Sequence, residues 1–292
     1  MAAETSSLIT MLRQAADTKI ASAIEALLAD PLERNLNRIN ALHFAERHGL
    51  DAGRTIAGFL QATRLGLFDL SWNVMCPGCG GVLGAGTTLK TVNRSEFTCA
   101  LCAAGYEPTL DEMVEVTFTV NPRVRQIASH DPARLQFAEY FRQVFWSSGI
   151  DVPDDFEHLL DTITLERIEL PAGDRAHLSL GVEPQFLILF DPVTHSSQFL
   201  DVAGEPTRER QSISFVLDDQ MRQNETITLR PGPVRITIEN RTGLRTLPAI
   251  WIANDEMHDL LGRRRPVLTA KRLLSHQTFR DLYRTGMLDL DQ

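Results

Sequence analysis

The chain has 292 residues, 43% of them hydrophobic and 23% charged, with 18 glycines and 14 prolines. That composition excludes a disordered, collagenous or low-complexity protein. Its 29 basic residues stand against 38 acidic ones, a formal charge of −9, which argues against a nucleic-acid binder working by bulk charge. Four cysteines are too few for a disulfide-stapled scaffold, so their spacing has to account for them.

The length allows two or three domains at ~100–200 residues each. No run approaches the ~18 consecutive apolar residues of a membrane span; the longest block of large apolar residues is Phe186–Phe190. The start, Met-Ala-Ala-Glu-Thr-Ser, lacks the basic-then-apolar order of a secretory signal. A cytoplasmic protein is expected, with thiols that stay reduced and free to bind metal.

Residues 1–72 read as helical. Leu8, Ile9, Leu12, Ala16, Ile20, Ile24, Leu27 and Leu28 recur at helical spacing over 5–30, until Asp30-Pro31 stops them. A second pattern over 40–48 ends at Gly49, a natural left-handed stop. Asp51 can cap a third, whose apolar set is Ile56, Phe59, Leu60, Thr63 and Leu67. Helix, tight turn, helix and the strand-like Phe68–Trp72 follow the order of a winged helix-turn-helix. A DNA-reading version needs more basic or amide side chains than the Arg54, Gln61 and Arg64 offered here, so the pair is read as a scaffold.

Residues 73–110 hold all four cysteines, as Cys76-Pro-Gly-Cys79 and Cys99-Ala-Leu-Cys102 with 19 residues between them. Each C-x2-C lets two thiolates approach one cation from a tight turn, and two such knuckles complete a tetrahedron of sulfur. The spacing is that of a zinc ribbon. Four thiolates leave no position for water, so a structural site with one Zn2+ per chain is expected, iron or a redox dithiol being the alternatives.

Residues 111–262 are predicted to be mainly an antiparallel β-sandwich. Val114, Val116, Phe118 and Val120 alternate with polar residues, a strand pattern. Leu135, Phe137, Ala138, Phe141, Val144 and Phe145 predict one helix over 132–146. Strands are then expected at Ile163–Leu170, His177–Gly181, Phe186–Asp191, Ser196–Asp201, Ser212–Leu217, Thr226–Arg230, Val234–Asn240 and Ala249–Ile252, with turn residues between them. Residues 263–292 are predicted as a basic linker helix. Thr269 caps it, Leu273, Leu274, Phe279, Leu282 and Tyr283 form its stripe, and Arg263, Arg264, Arg265 and Arg284 are among its cations. The triple arginine and the stripe are the candidate partner contacts. The fold class is thus α+β and multidomain: winged-helix-like segment, ribbon, sandwich and output helix.

No catalytic residue is predicted. The chain has no phosphate-binding glycine loop, nucleophile elbow, H-E-x-x-H or dinucleotide fingerprint, and its eight histidines are scattered singly. Asp154-Asp155 and Asp218-Asp219 sit in turns, where aspartate bonds backbone. Trp72, Trp146 and Trp251 read as core anchors.

Several runs together resemble a known family. Asn37-Arg-Ile-Asn40, Leu65–Trp72 leading into Cys76-Pro-Gly-Cys79, the Leu110–Phe118 strand, Leu268–Leu274 and Gln277–Leu282 are similar to the non-catalytic region before the catalytic domain of bacterial class III adenylate/guanylate cyclases. The resemblance runs from about residue 35 to the end. It implies a regulatory or sensory region in cyclic-nucleotide signalling, with the terminal helix leading into a cyclase domain. Implied partners are that domain, a second copy met through the C-terminal helix, and a small-molecule or protein regulator. The catalytic half is missing from this sequence, so no cyclase residue carries over. Two other readings stay open: a zinc-ribbon/winged-helix adaptor or nucleic-acid binder, and a free-standing β-sandwich binding a small ligand.

Overall fold

The computed structural model describes residues 2–89, 96–218 and 226–283. Part of the ribbon interior, Asp219, and the last residues from Arg284 onward lie outside the described residues. The fold is α+β, with several mainly antiparallel sheets and a four-cysteine cluster. Among the described residues no helix is long and apolar enough to cross a membrane.

The helix expected over 5–30 is two helices, α1 (Ala2–Ala15) and α2 (Thr18–Leu28). Asp17 divides them, because its carboxylate accepts from the Lys19 N–H at 2.9 Å and starts a new helix. Helix α3 (Ala41–His48) is capped by the Asn40 side chain and stops at Gly49, φ 60°. Helix α4 (Ala52–Arg64) is capped by Asp51.

Helix α4 is central, with Thr55, Ile56, Gly58, Phe59, Leu60 and Ala62 buried. Its exposed edge keeps Arg54 and Arg64, and Arg54 is paired with Asp17 at 3.3 Å. A groove-reading helix needs an open face, and α4 has little of one. Helix α2 crosses it at Gly58, where a Cβ would stand 2.5 Å from Ile20 Cγ2. Gly58→Ala is therefore expected to destabilise by ~1–2 kcal/mol through overpacking, despite the ~1 kcal/mol that alanine gains in a helix. Ile20→Ala in the same chain should recover part of that loss, and denaturant unfolding of the four-variant cycle checks it.

Strand β1 (Phe68–Met75) runs between β2 (Val82–Gly86) and β5 (Val114–Val120), antiparallel to both, while β3 (Phe97–Cys99) and β4 (Ala104–Tyr106) form a hairpin. Glu115 and Thr117, the polar residues that alternate with the apolar ones along β5, are both fully buried. The reason is a second cover: Leu268 O accepts from Val116 N–H at 2.7 Å, Thr269 bridges Glu115, and Ser148 bonds the Glu115 carboxylate. A strand covered on both faces loses its amphipathic signature. The first core thus joins α1–α4, β1 and β5 to Leu268, Ala270, Leu273 and Phe279. It draws on all four segments into which the sequence was divided, because Val74 and Phe97 of the ribbon region, β5 and the C-terminal run all pack on the helical start.

The helix expected over 132–146 is shorter. A 3-10 turn at Pro132–Arg134 gives way to extended backbone, and α5 (Phe137–Tyr140) continues as a π-turn over Phe141–Phe145. The wider turn accompanies an aromatic cluster in which the Phe141 ring lies 4.9 Å from Phe137, 5.0 Å from Phe145, 5.3 Å from Trp146 and 4.9 Å from Trp251. Helices α6 (Phe156–Ile163) and α7 (Asp255–Gly262) were not anticipated. Their signals were Phe156, Leu160 and Ile163 at helical spacing and the Asn254 cap with two acids behind it.

All eight later strands form: β6 (Thr164–Arg167), β7 (Arg175–Val182), β8 (Gln185–Asp191), β9 (Ser196–Val202), β10 (Gln211–Leu217), β11 (Ile227–Leu229), β12 (Gly232–Asn240) and β13 (Ala249–Ile252). One sheet has the order β11-β9-β8-β13-β6 and the other β10-β12-β7. Leu187, Leu189, Leu200 and Ile250 from the first and Phe215, Leu217, Ile236 and Ile238 from the second fill one cluster. The alternate residues Ile188, Phe190 and Trp251 face the aromatic cluster instead. The arrangement is not purely antiparallel: β10 pairs parallel with β12, and β9 with β11. Between β10 and β12 the chain crosses to the other sheet as β11, so the returning strand runs in the same direction as β10.

The linker helix expected over 263–292 begins only at residue 270, and is broken. Residues 263–269 are extended, bridging Ile150 through Arg264 and Glu115 through Thr269. Pro266 within this run holds Arg265 out of the helical region. Helices α8 (Ala270–Ser275) and α9 (Gln277–Leu282) follow, separated by the extended His276.

Candidate metal centre

Cys76 follows β1 directly, and its knuckle is closed by Cys76 N–H to Gly81 O at 2.8 Å and Gly80 N–H to Cys76 O at 2.9 Å. Gly80 has φ 71°, and Ala103, at the same place in the second knuckle, has φ 50°. The left-handed residue after each second cysteine turns the chain so that both sulfurs of a knuckle face inward. All four sulfurs lie within 4.8 Å of one another. Across the knuckles, Cys76 Sγ is 3.6 Å from Cys102 Sγ and Cys79 Sγ is 3.6 Å from Cys99 Sγ. These spacings are close to the ~3.8 Å edge of a tetrahedron with ~2.3 Å metal–sulfur bonds. The cysteines are free thiols, three buried and Cys102 half-buried. The predicted ligands are thus brought together and fit a metal ion.

The electrostatics favour a cation. Cys79 and Cys99 are pushed up by the neighbouring sulfurs, Cys102 first and then Cys76, while Cys76 is pulled down by the thiols of Cys102, Cys79 and Cys99 around it. Cys102 is also pulled down: Cys76 pushes it up, but the hydrogen bonds to Cys79 and Cys99 together outweigh that effect. Four thiolates together would repel. A divalent ion removes that repulsion and draws off the remaining protons.

The knuckles are not an isolated module. Cys76, Cys79, Cys99 and Leu101 belong to the cluster of Phe141, Phe145, Phe190 and Trp251. A Cβ on Gly81 would stand 2.7 Å from Phe145 Cζ, and Ser197 Oγ donates to Ala100 O at 2.8 Å. At Gly80 a Cβ would stand 2.5 Å from both Arg264 Nη1 and Ile150 Cδ1. The two equivalent turn positions therefore predict opposite signs. Gly80→Ala should lower stability by ~2 kcal/mol, through strain and overpacking. Ala103→Gly should raise it by ~0.5–1 kcal/mol by relieving a left-handed alanine. Thermal unfolding of the metal-loaded variants measures both.

All but Arg263 of the candidate partner contacts use their side chains within the chain itself. Arg264 Nη2 donates to Gly78 O at 2.6 Å, so this arginine lies over the first knuckle. Arg265 pairs with Asp151, and its N–H donates to Gly149 O at 2.8 Å. The Arg263 side chain is exposed, while its carbonyl accepts from Asp151 N–H at 2.9 Å. Leu273 and Phe279 are buried in the first core, Phe279 edge-on to Trp72 at 6.2 Å, with Leu274 and Leu282 half-buried beside them. Arg264 and Arg265 meet the metal centre and its flank, whereas the stripe meets the helical core.

Sequence reasoning missed the polar seam between these parts. Asn37 Nδ2 donates to Gln143 O at 2.8 Å, Arg38 donates to the carbonyls of Val144 and Trp146, and Asn40 Nδ2 donates to Pro266 O at 2.8 Å. Arg38 sits at φ 43°. Behind it Glu115 accepts from Ser148 Oγ at 2.6 Å, Ser148 N–H at 3.2 Å and Asn73 Nδ2 at 3.2 Å. Burial pushes the Glu115 carboxyl up and the Arg38 guanidinium down, each partly offset by the charge of the other. The pairing of Asn73 with Glu115 across β1 and β5 is the signal that finds this seam, and it exists only once the register is known.

Neither the curated proteins nor the solved structures include a match to this chain. The model of a family of unknown function (DUF5939) matches residues 2–281, nearly the whole chain, and the chain belongs to that family.

Proposed function

We propose that the chain is a non-catalytic regulatory region preceding a class III nucleotide cyclase domain. In this reading a winged-helix-like start, a zinc ribbon holding one structural Zn2+ on Cys76, Cys79, Cys99 and Cys102, and a β-sandwich together control residues 263–283, the output segment. The observation that carries it is the path of that segment. It lies over the first knuckle through Arg264, covers β5 at Thr269 and buries Leu273 and Phe279 in the helical core. A segment held at both places responds to a change at either, provided that the two arrangements differ in free energy for the ligand or partner concerned.

The stripe that would pair with a second copy is engaged within the chain, since Phe279 packs on Trp72. Docked and released forms of α8–α9 would then be the two states, only the released one free to self-associate. The runs that resemble cyclase regulatory regions include both the first knuckle and α8–α9, which is where this mechanism needs them. The reading frame containing this chain provides the test, assayed for cyclic-nucleotide formation from ATP and GTP with and without residues 1–262. A several-fold change in rate on deletion is expected. An unchanged rate, or a frame without a cyclase domain, overturns the proposal.

A further inference from the structure

A cleft of about 1140 Å3 opens between the α2–α3 side of the molecule and the 142–154 segment. Five arginines and two histidines line it, against three aspartates and neither lysine nor glutamate, although the chain as a whole is acidic. The aspartates are already engaged. Asp154 pairs with Arg34 at 2.8 Å and Asp151 with Arg265. Asp30 accepts from Asn35 Nδ2 and Leu32 N–H, both at 2.8 Å, and is held below the usual carboxylate range by those bonds.

The other three arginines are not paired with the aspartates of the cleft by a salt bridge. Arg38 is tethered by the carbonyls of Val144 and Trp146, with Glu115 buried behind it. Arg142 donates to Val152 O at 3.2 Å and Pro153 O at 2.7 Å, its guanidinium over the Phe156 ring at 5.5 Å and Glu139 3.7 Å away. Main-chain carbonyls and an aromatic face fix these two guanidiniums, and each has an acid near it, Glu115 for Arg38 and Glu139 for Arg142. Arg47 is exposed, its charge felt by the Asp30 carboxylate, and makes no hydrogen bond or salt bridge shorter than 4 Å among the described residues. The field is felt by His43, whose imidazole is pushed below its usual range by burial and then by Arg265 and Arg47. Guanidinium groups fixed in this way are suited to forked hydrogen bonds to phosphate oxygens. Leu27, Pro31, Ile150 and Val152 give the same cleft an apolar wall, and its volume suits a molecule larger than phosphate alone.

We propose that this cleft binds a phosphorylated small molecule, with its phosphate oxygens held by Arg38, Arg47 and Arg142 and its organic part against the apolar wall. Binding does not rest on the cyclase reading; only its consequence does. Arg265 and Asn40, which bonds Pro266, both line the cleft, so a ligand there touches the start of the output segment.

Calorimetric titration of the metal-loaded chain with tripolyphosphate at low salt tests the site, with citrate as a carboxylate control and metal content measured before and after. The expected result is a dissociation constant of about 10–100 μM, at least tenfold weaker for Arg47→Glu, at least tenfold weaker for citrate, and weakened by added salt. Arg47 is exposed on α3, so Arg47→Glu should melt like the parent chain. Absence of binding at about 5 mM tripolyphosphate, equal affinity in folded Arg47→Glu, equally tight citrate, or heat that tracks metal loss overturns the proposal. Each result is read on this chain alone, so it is separate from the fate of the cyclase proposal.

Discussion

Cys79→Ser is expected to abolish metal binding and to give the largest loss of stability of any single change considered. A serine hydroxyl is a hard, weakly acidic donor that does not replace a thiolate on a soft tetrahedral ion. Three thiols are then left without the cation that reconciles them. Structural zinc binding contributes ~10–16 kcal/mol to folding in small zinc modules, which is comparable with the whole ~5–15 kcal/mol stability of an ordinary domain. The damage should not stay local, because Cys79 shares a cluster with Phe141, Phe145 and Trp251. Metal analysis should read about one zinc per parent chain and near zero for the variant, and the melting transition of the sheets should fall with it. Cys102→Ser should do less, since Cys102 is half-buried and borders the cluster rather than filling it. Full metal retention by Cys79→Ser would remove the four-cysteine centre from the account.

What the sequence made legible follows from how local each signal was. The cysteines were readable because a C-x2-C constrains its own turn, whatever surrounds it. The eight later strands were readable because Pro171-Ala-Gly173, Gly204 and Pro231-Gly-Pro233 punctuate them with residues that end strands for backbone reasons. Their pairing was not: the parallel β10–β12 and β9–β11 pairs depend on which sheet each strand joins, which no short window records. The stripe on α8–α9 was readable as apolar, whereas its docking on Trp72 was not, since an apolar face carries no address. The break in the 132–146 helix was hidden for a related reason. Phe137, Phe141 and Phe145 fit helical spacing, and only their packing against Trp251 and Phe190 accompanies the π-turn. The burial of Glu115 was not legible, because alternation along β5 marks a strand without telling whether its polar face meets water or a second cover.

That buried carboxylate carries the second large effect. Glu115→Ala is expected to destabilise by ~3–5 kcal/mol. It orphans the Ser148 and Asn73 donors, at ~1–3 kcal/mol for an unsatisfied buried group, and it removes the counter-charge to Arg38. Glu115→Gln separates the two contributions. It keeps an acceptor for the seam but cannot ionise, so a cost well below that of alanine is expected. The pH dependence has a definite sign. Burial raises the folded pKa of Glu115 above its ordinary 4.5, so the folded chain holds this proton more tightly than the unfolded one. The resulting stabilisation is complete below the ordinary value and is lost as pH rises through the raised one. Asp30 is shifted the opposite way by its hydrogen bonds, and the metal centre titrates as well, but both are common to the parent chain and Glu115→Gln. The difference between their unfolding free energies therefore isolates Glu115, and it should move against the parent chain as pH is raised from about 4.5. Urea unfolding of the pair across that range measures it, and a difference that is flat, or that moves in favour of the parent, would mean that the seam holds Glu115 ionised as readily as water does.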